Sequence, residues 1–222
     1  MNNTQNKQNE HRSNIREQAL QLLKREAGID IDTTKTGLET YAALILKWNA
    51  FASLVSSHDA GRLWVHIADS LSLLGLVKAV GGTAPRLLDI GSGGGFPAIP
   101  LALAFPALEA RLIERSRKKA GFLENVRGEL HLRDRIVVQQ CTFPNEVDLD
   151  RPEDWVITAR AVEKPGNVWP GVKELVKKGA VFLCQWPDMP QEAQKMFHVE
   201  QIIDDWGEKG LRRGQVHVIR NR

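Results

Sequence analysis

The stretch Arg86-Leu-Leu-Asp-Ile-Gly-Ser-Gly-Gly-Gly-Phe-Pro-Ala-Ile-Pro100 decides the fold. Leu87, Leu88 and Ile90 form a short apolar run, interrupted by one acid, that reads as a buried strand. Gly91, Gly93, Gly94 and Gly95 follow, broken only by Ser92. Glycine tolerates positive φ and lets a ligand lie directly against the backbone. Pro97 suits the first turn of a helix, where no backbone N–H is needed. Strand, glycine turn and helix start together predict a cradle for a nucleotide-like cofactor.

Upstream of this stretch the chain reads as helix. Ile15, Ala19, Leu22 and Leu23 recur at helical spacing, with Gly28 as a stop. A second helix is predicted over Gly37 to Phe51, and a third, continuous one over Arg62 to Val80. Downstream, strands at 86–90, 110–114, 136–139, 155–159 and 180–185 alternate with helices at 97–104, 116–130 and 166–176. That alternation predicts a largely parallel sheet covered on both faces. His198–Ile203 and Gln215–Arg220 read as two successive strands, hence a closing antiparallel hairpin. The expected division is a tail over 1–14, a helical segment over 15–84 and an α/β domain over 85–222, packed as one globular unit.

Composition bounds the function classes. The 222 residues carry a net charge of +3, with 42% hydrophobic and 26% charged residues, as in an ordinary globular protein. The mild basicity is compatible with a nucleic-acid partner without demanding one. Cys141 and Cys184 form no CxxC pattern, which argues against a disulfide framework or a structural zinc and for a reducing, cytoplasmic setting. No metal ligand set is evident. The polar N-terminus has no signal-peptide h-region, and no apolar run approaches the ~20 residues of a membrane span.

The glycines alone do not choose a cofactor, because GxGxxG-like readings also suit a dinucleotide. Asp89 immediately before the first glycine and Glu114 at the end of the second strand shift the balance. Two carboxylates are poorly placed for a pyrophosphate but suit a ribose diol and a cationic methionine end. With the C-terminal strand pair they favour S-adenosylmethionine over NAD, Glu114 holding the ribose.

Four segments then carry a specific resemblance. Leu46-Lys-Trp-Asn49 with Ser53-Leu-Val-Ser56, Val65-His-Ile-Ala-Asp-Ser-Leu71, the loop Leu87–Pro100, and Thr158-Ala-Arg-Ala161 match in order and spacing. The chain resembles the RsmG (GidB) family of bacterial 16S ribosomal RNA guanine-N7 methyltransferases. The resemblance implies the class I, Rossmann-like S-adenosylmethionine methyltransferase fold: α/β, with a mostly parallel seven-stranded sheet, an antiparallel C-terminal strand and an N-terminal helical extension. It assigns Asp89, Gly91, Gly93, Gly95, Phe96 and Glu114 to the cofactor, with Thr142 and Phe143 beside the adenine. Arg160 falls at the active site, on the cofactor and the acceptor alike. His66, Asp69 and Ser70, on one face of the third helix, join it as catalytic candidates, or else form a helix-packing cluster. The implied partner is 16S RNA or the small ribosomal subunit, with no membrane role and a monomeric state.

The chain also departs from the family. Val65 stands where an arginine is expected, Gln140-Cys-Thr-Phe143 replaces a GRAEE-like segment, and Gln185-Trp186 replaces Lys-Gly. The cofactor loop is kept and the substrate side altered, as in a divergent member. Guanine N7 bears no proton, so its methylation needs alignment rather than a general base. Arg160 is the candidate for positioning guanine O6 or a phosphate, or else an ion-pair partner of Glu163 or Asp154. Arg115-Ser-Arg-Lys-Lys119 with Arg127, Arg133 and Arg135 forms a plausible phosphate face, or a solvated basic helix, and Arg212 and Arg213 are similarly ambiguous. Neither cysteine has an evident histidine partner, which disfavours a covalent mechanism. Two rival readings are an RNA-binding or assembly protein with altered catalysis and an NAD-linked oxidoreductase.

Overall fold

The structure is a computed structural model describing residues 15–21, 23–24, 29–160, 164–186, 188–202 and 215–222. Gly28, Glu163, Arg212, Arg213 and the 1–14 tail lie outside the described residues. Helical residues 15–21 (α1) precede α2 (Ile31–Ala52), α3 (Ser57–Ala60), α4 (Leu63–Leu71) and α5 (Leu74–Gly81). Then follow β1 (Arg86–Ile90), α6 (Ala98–Ala104), β2 (Glu109–Ile113), α7 (Arg117–Glu129), β3 (Ile136–Gln139) and β4 (Trp155–Ala159). The chain closes with α8 (Pro165–Lys177), β5 (Val181–Cys184), α9 (Ala193–Met196), β6 (His198–Ile202) and β7 (Val216–Arg220).

The strands form one seven-stranded sheet, ordered β3-β2-β1-β4-β5-β7-β6. Neighbours from β3 to β5 are parallel, and β7 runs antiparallel to both β5 and β6. The expected sheet and its closing hairpin are therefore present. Strand order reverses between β1 and β4, and such a switch point opens a crevice at the carboxyl ends of the strands. Both the glycine turn after β1 and Arg160 after β4 lie at this reversal.

β4 is buried along its whole length, as a strand covered on both faces must be. On one face Leu87 and Leu112 share a core with Leu38, Tyr41 and Ile45 of α2, Leu71 and Leu74 of the next helices, and Phe122 of α7. On the other, Leu88, Ile157 and Phe182 pack with Trp169 and Val172 of α8 and with Trp186 and Phe197. The N-terminal helices thus bury their apolar faces in the same core as the sheet.

Two helix boundaries differ from the sequence expectation, each for a local reason. α2 starts at Ile31, six residues before Gly37, because the Asp30 carboxylate caps it, accepting from the Asp32 and Thr33 amides at 3.1 and 3.2 Å. Gly37 is an internal close-approach position: a Cβ there would stand 2.9 Å from Leu103 of α6. The third helix is two helices. Ser70 Oγ donates to the His66 carbonyl and Ser72 Oγ to the Asp69 carbonyl, both at 2.7 Å. Hydroxyls that take carbonyls from the helical ladder favour a break, and the chain turns at Ser72-Leu73 without proline or glycine. Residues Leu63–Gly81 are, by length and composition, apolar enough to cross a membrane, contrary to the sequence expectation. Most of that window is instead buried in the fold, on two short helices.

Candidate active site

The loop after β1 is held by its own main chain. Gly91, Gly93 and Gly95 have φ of 72°, 54° and 89°, a region that side chains rarely enter. The Gly91 amide donates to the Ile113 carbonyl at 2.8 Å, and Gly95 to Ser92 at 2.6 Å. A Cβ on Gly95 would stand 2.7 Å from Ile99 Cγ1 and 3.2 Å from Tyr41 Oη. Tyr41, fully buried on α2, donates its hydroxyl to the Gly94 carbonyl at 2.5 Å. Burial pushes its phenol well above the ordinary range, so it stays a donor.

Two carboxylates flank the turn. Glu114 accepts the Gly93 amide at 2.8 Å and the Ser116 amide at 2.7 Å, tying the loop to the start of α7. Asp89 is fully buried beneath the loop, with Thr158 Oγ1 donating to its Oδ1 at 2.7 Å. Its Oδ2 has no hydrogen-bond partner. Burial raises its pKa from 3.8 to about 7, against the opposing pull of Thr158 and the more distant Arg160 charge.

A cleft of about 450 Å³ opens beyond Glu114 at the carboxyl ends of β1–β3, within the range of small-molecule sites. Gly91, Glu114, Thr142 and Phe143 line it, so four of the expected cofactor residues meet there. Asp89, Gly93, Gly95, Phe96 and Arg160 are not in its walls. Lys119 of α7 and Lys164, Asn167 and Val168 at the start of α8 are, and sequence reasoning missed the α8 residues. Gly171 lets that helix approach: a Cβ there would sit 2.6 Å from both Phe143 and Pro144. Cys141 also lines the cleft, but burial and Glu146 raise its thiol pKa, and burial pushes Cys184 up to about 11. Both thiols therefore stay protonated near neutrality, as inert buried cysteines do.

Arg160 gathers the other candidates. Its guanidinium meets Asp69 Oδ2 at 2.9 Å and His66 Nδ1 at 2.5 Å, with Ser70 Oγ at 3.5 Å. Arginine has no acceptor, so Nδ1 must accept and the His66 proton resides on Nε2, which faces Asp59 Oδ1 at 3.3 Å. Asp59, absent from the sequence reading, thus ends the chain Asp59–His66–Arg160–Asp69. Phe96 joins this cluster to the glycine loop: its ring lies 5.6 Å from the Arg160 guanidinium, 5.5 Å from His66 and 5.4 Å from Tyr41. Arg160 accordingly pairs with Asp69 rather than Asp154, which is bound to Arg151.

The residues are compatible with S-adenosylmethionine. A glycine turn at positive φ whose Gly91 lines the cleft, a buried carboxylate oxygen without a hydrogen-bond partner beneath it and Glu114 in the cleft wall suit a ligand carrying a diol and a cationic end.

A family model described as rRNA small subunit methyltransferase G (GidB) matches residues 34–205. The chain belongs to this family. It is 32% identical over 184 residues to the ribosomal RNA small subunit methyltransferase G of Leptothrix cholodnii, covering 77% of this chain and 81% of that protein. Identity with the protein of the same name from Burkholderia cenocepacia is 35% over 167 residues, covering 67% and 72%. Among solved structures, a mutant of MtNAS in complex with S-adenosylmethionine superposes with a TM-score of 0.56 at 14% identity, covering 89% of this chain and 81% of that one, a likeness of fold alone. As a GidB-family protein the chain is an S-adenosylmethionine-dependent methyltransferase, and the NAD-linked and non-enzymatic readings give way.

Within this GidB framework one departure acquires a structural reason. Val65 is buried against Ile15, Ala19 and Ala68, so an apolar contact with α1 occupies the arginine's position. Asn49 of the Lys-Trp-Asn segment closes α2, its Oδ1 accepting the Leu54 and Val55 amides at 2.8 and 2.9 Å. The expected phosphate face shrinks. Arg127 donates to the Ile136 carbonyl at 3.0 Å, and Arg135 to the carbonyls of Ala102 in the last turn of α6 and of Phe105 and Leu108 beyond it. Carbonyls left open at a helix C-terminus attract such a cation.

Proposed function

We propose that this GidB-family enzyme methylates guanine N7 in 16S RNA of the small ribosomal subunit, acting as a cytoplasmic monomer. The observation that carries the reading is the gathering of His66, Asp69 and Ser70 on Arg160, which with His66 faces Phe96 of the glycine loop. S-adenosylmethionine, when bound, supplies a methyl group activated on a sulfonium. Glu114, Thr142 and Phe143 would hold its nucleoside in the cleft, and Gly91 would admit it against the main chain, with Gly93 and Gly95 shaping the turn. Asp89 would complement its cationic end.

The remaining work falls to orientation. N7 offers a lone pair without a proton, so the chain needs no general base, and neither protonated thiol is required. Arg160, held by the buried Asp69 and His66, donates to guanine O6 or an adjoining phosphate. Residues 15–84 would form the acceptor-side wall of a catalytic domain spanning 85–222.

Incubation with labelled S-adenosylmethionine and small-subunit RNA, free or in subunits, followed by nucleoside digestion, tests this. N7-methylguanosine is expected. Label in another nucleoside, or on neither substrate despite cofactor binding, would refute the assignment.

A further inference from the structure

A second groove, separate from the cofactor cleft, lies between the end of α2 and the outer side of α7. Its volume is about 430 Å³, and Lys47, Trp48 and Phe51 face Asn125 across it. Phe51 is 60% exposed, a large aromatic ring left in solvent at the groove wall. Trp48 stands edge-on to it at 6.1 Å, its indole fixed by a 3.1 Å hydrogen bond from Nε1 to Asn125 Oδ1. Lys118 Nζ sits 4.8 Å from the Phe51 ring centre. A second concavity, of about 360 Å³, shares Asn125 and Glu129 with the first and continues to His131 and Arg133.

The charge placement is unusual for a helix. The first turn of α7 carries Arg117, Lys118 and Lys119 and no acid. Cations at a helix N-terminus oppose the macrodipole, so helix stability does not account for them, whereas an anionic ligand would. Lys119 faces the cofactor cleft while its neighbour Lys118 lies over one face of the Phe51 ring, so adjacent residues of this turn border the cleft and the groove's aromatic wall. From the other side, α2 leads through Leu54, whose carbonyl lies 3.6 Å from a Cβ built on Gly94.

Resting on the reading of the chain as an RNA methyltransferase, we propose that this groove docks a single-stranded segment of the RNA beside the methylated nucleotide. A base stacks on the face of Phe51 that Lys118 leaves open, and Lys47 and Lys118 take the flanking phosphates. An exposed aromatic ring flanked by Lys47 and Lys118 suits single-stranded nucleic acid, because every base has a π-face and every nucleotide a charge, and Glu129 at the groove's far end leaves the phosphates to the lysine side. A duplex offers no free base face to Phe51.

The test compares wild type with Phe51→Ala, Lys118→Ala and the double variant, using anisotropy with a labelled oligouridylate. The double variant should bind about tenfold or more weakly, since one base stack alone contributes about that factor. Its KM for small-subunit RNA should rise in step, with kcat and the calorimetric affinity for S-adenosylmethionine kept. Unchanged oligonucleotide binding and KM would overturn the proposal. So would a defect confined to assembled subunits with naked RNA bound normally, which would mark a protein partner, or an RNA-independent change in sedimentation, which would mark a second copy. Wild-type protein that binds oligouridylate through Phe51 yet transfers no methyl would refute the transfer reading and leave the groove standing.

Discussion

The glycine turn after β1 and the Arg160 cluster after β4 lie at the same end of the sheet but hold their shape by different means. The turn does so with main chain: glycines at positive φ, amides tied to Ile113 and Glu114, and a carbonyl fixed by Tyr41. The cluster does so with polar and charged side chains drawn from α4 and the end of β4, His66 and Arg160 being 94 positions apart. Backbone geometry resists an added Cβ, by strain at the positive φ of Gly91 and Gly93 and by a clash as well at Gly95. Side-chain geometry tolerates replacement as long as charge and reach survive. The first half should therefore fail abruptly and the second by degrees.

The largest effect is expected at Gly95. Gly95→Ala places a Cβ 2.7 Å from Ile99 at φ 89°, and cofactor affinity by calorimetry should fall about a hundredfold or more. Next is Arg160→Ala, which leaves Asp69 buried without its cation. Denaturant unfolding should show a loss of about 3 kcal/mol, and Asp69→Asn in the same chain should restore part of it. Recovery of nothing in that double variant would mean that Arg160 stabilises through some contact other than Asp69.

A pH experiment separates the halves further. Folding raises the Asp89 pKa from 3.8 to about 7, so the folded state holds this proton more tightly than the unfolded chain. The resulting stabilisation is complete below pH 3.8 and is lost as pH rises towards 7, by at most about 4 kcal/mol. Between pH 5 and 8 wild type should lose stability, and Asp89→Asn should lose less. A cationic cofactor favours the carboxylate, so its affinity should rise over the same interval in wild type alone. The smallest effect is Tyr41→Phe: it removes one buried hydrogen bond, costs about 1–2 kcal/mol and weakens cofactor binding without changing the acceptor.

The same contrast explains what the sequence could reveal. The turn was legible because its determinants are consecutive residues whose types are fixed by φ and by strand and helix periodicity. The sheet followed from alternation, and even β7's antiparallel course followed from two adjacent strand-like runs. The Asp30 cap was visible as a residue type but not weighed, since the threonine-rich first turn of α2 has no apolar period. The break at Ser72 was hidden because hydroxyls competing for helix carbonyls leave no proline or glycine behind. His66, Asp69 and Ser70 could be placed on one face, but their partner Arg160 and the added Asp59 depend on tertiary approach. Likewise Arg127 and Arg135 read as surface cations until the fold set them on carbonyls.

Single-turnover methyl transfer to small-subunit RNA by Arg160→Ala, followed across S-adenosylmethionine concentrations, tests the division of labour most directly. The expected result is a half-saturating cofactor concentration within about threefold of wild type and a maximal rate lowered about a hundredfold or more. A rate restored by saturating cofactor would contradict it, placing Arg160 on the cofactor and not on the acceptor.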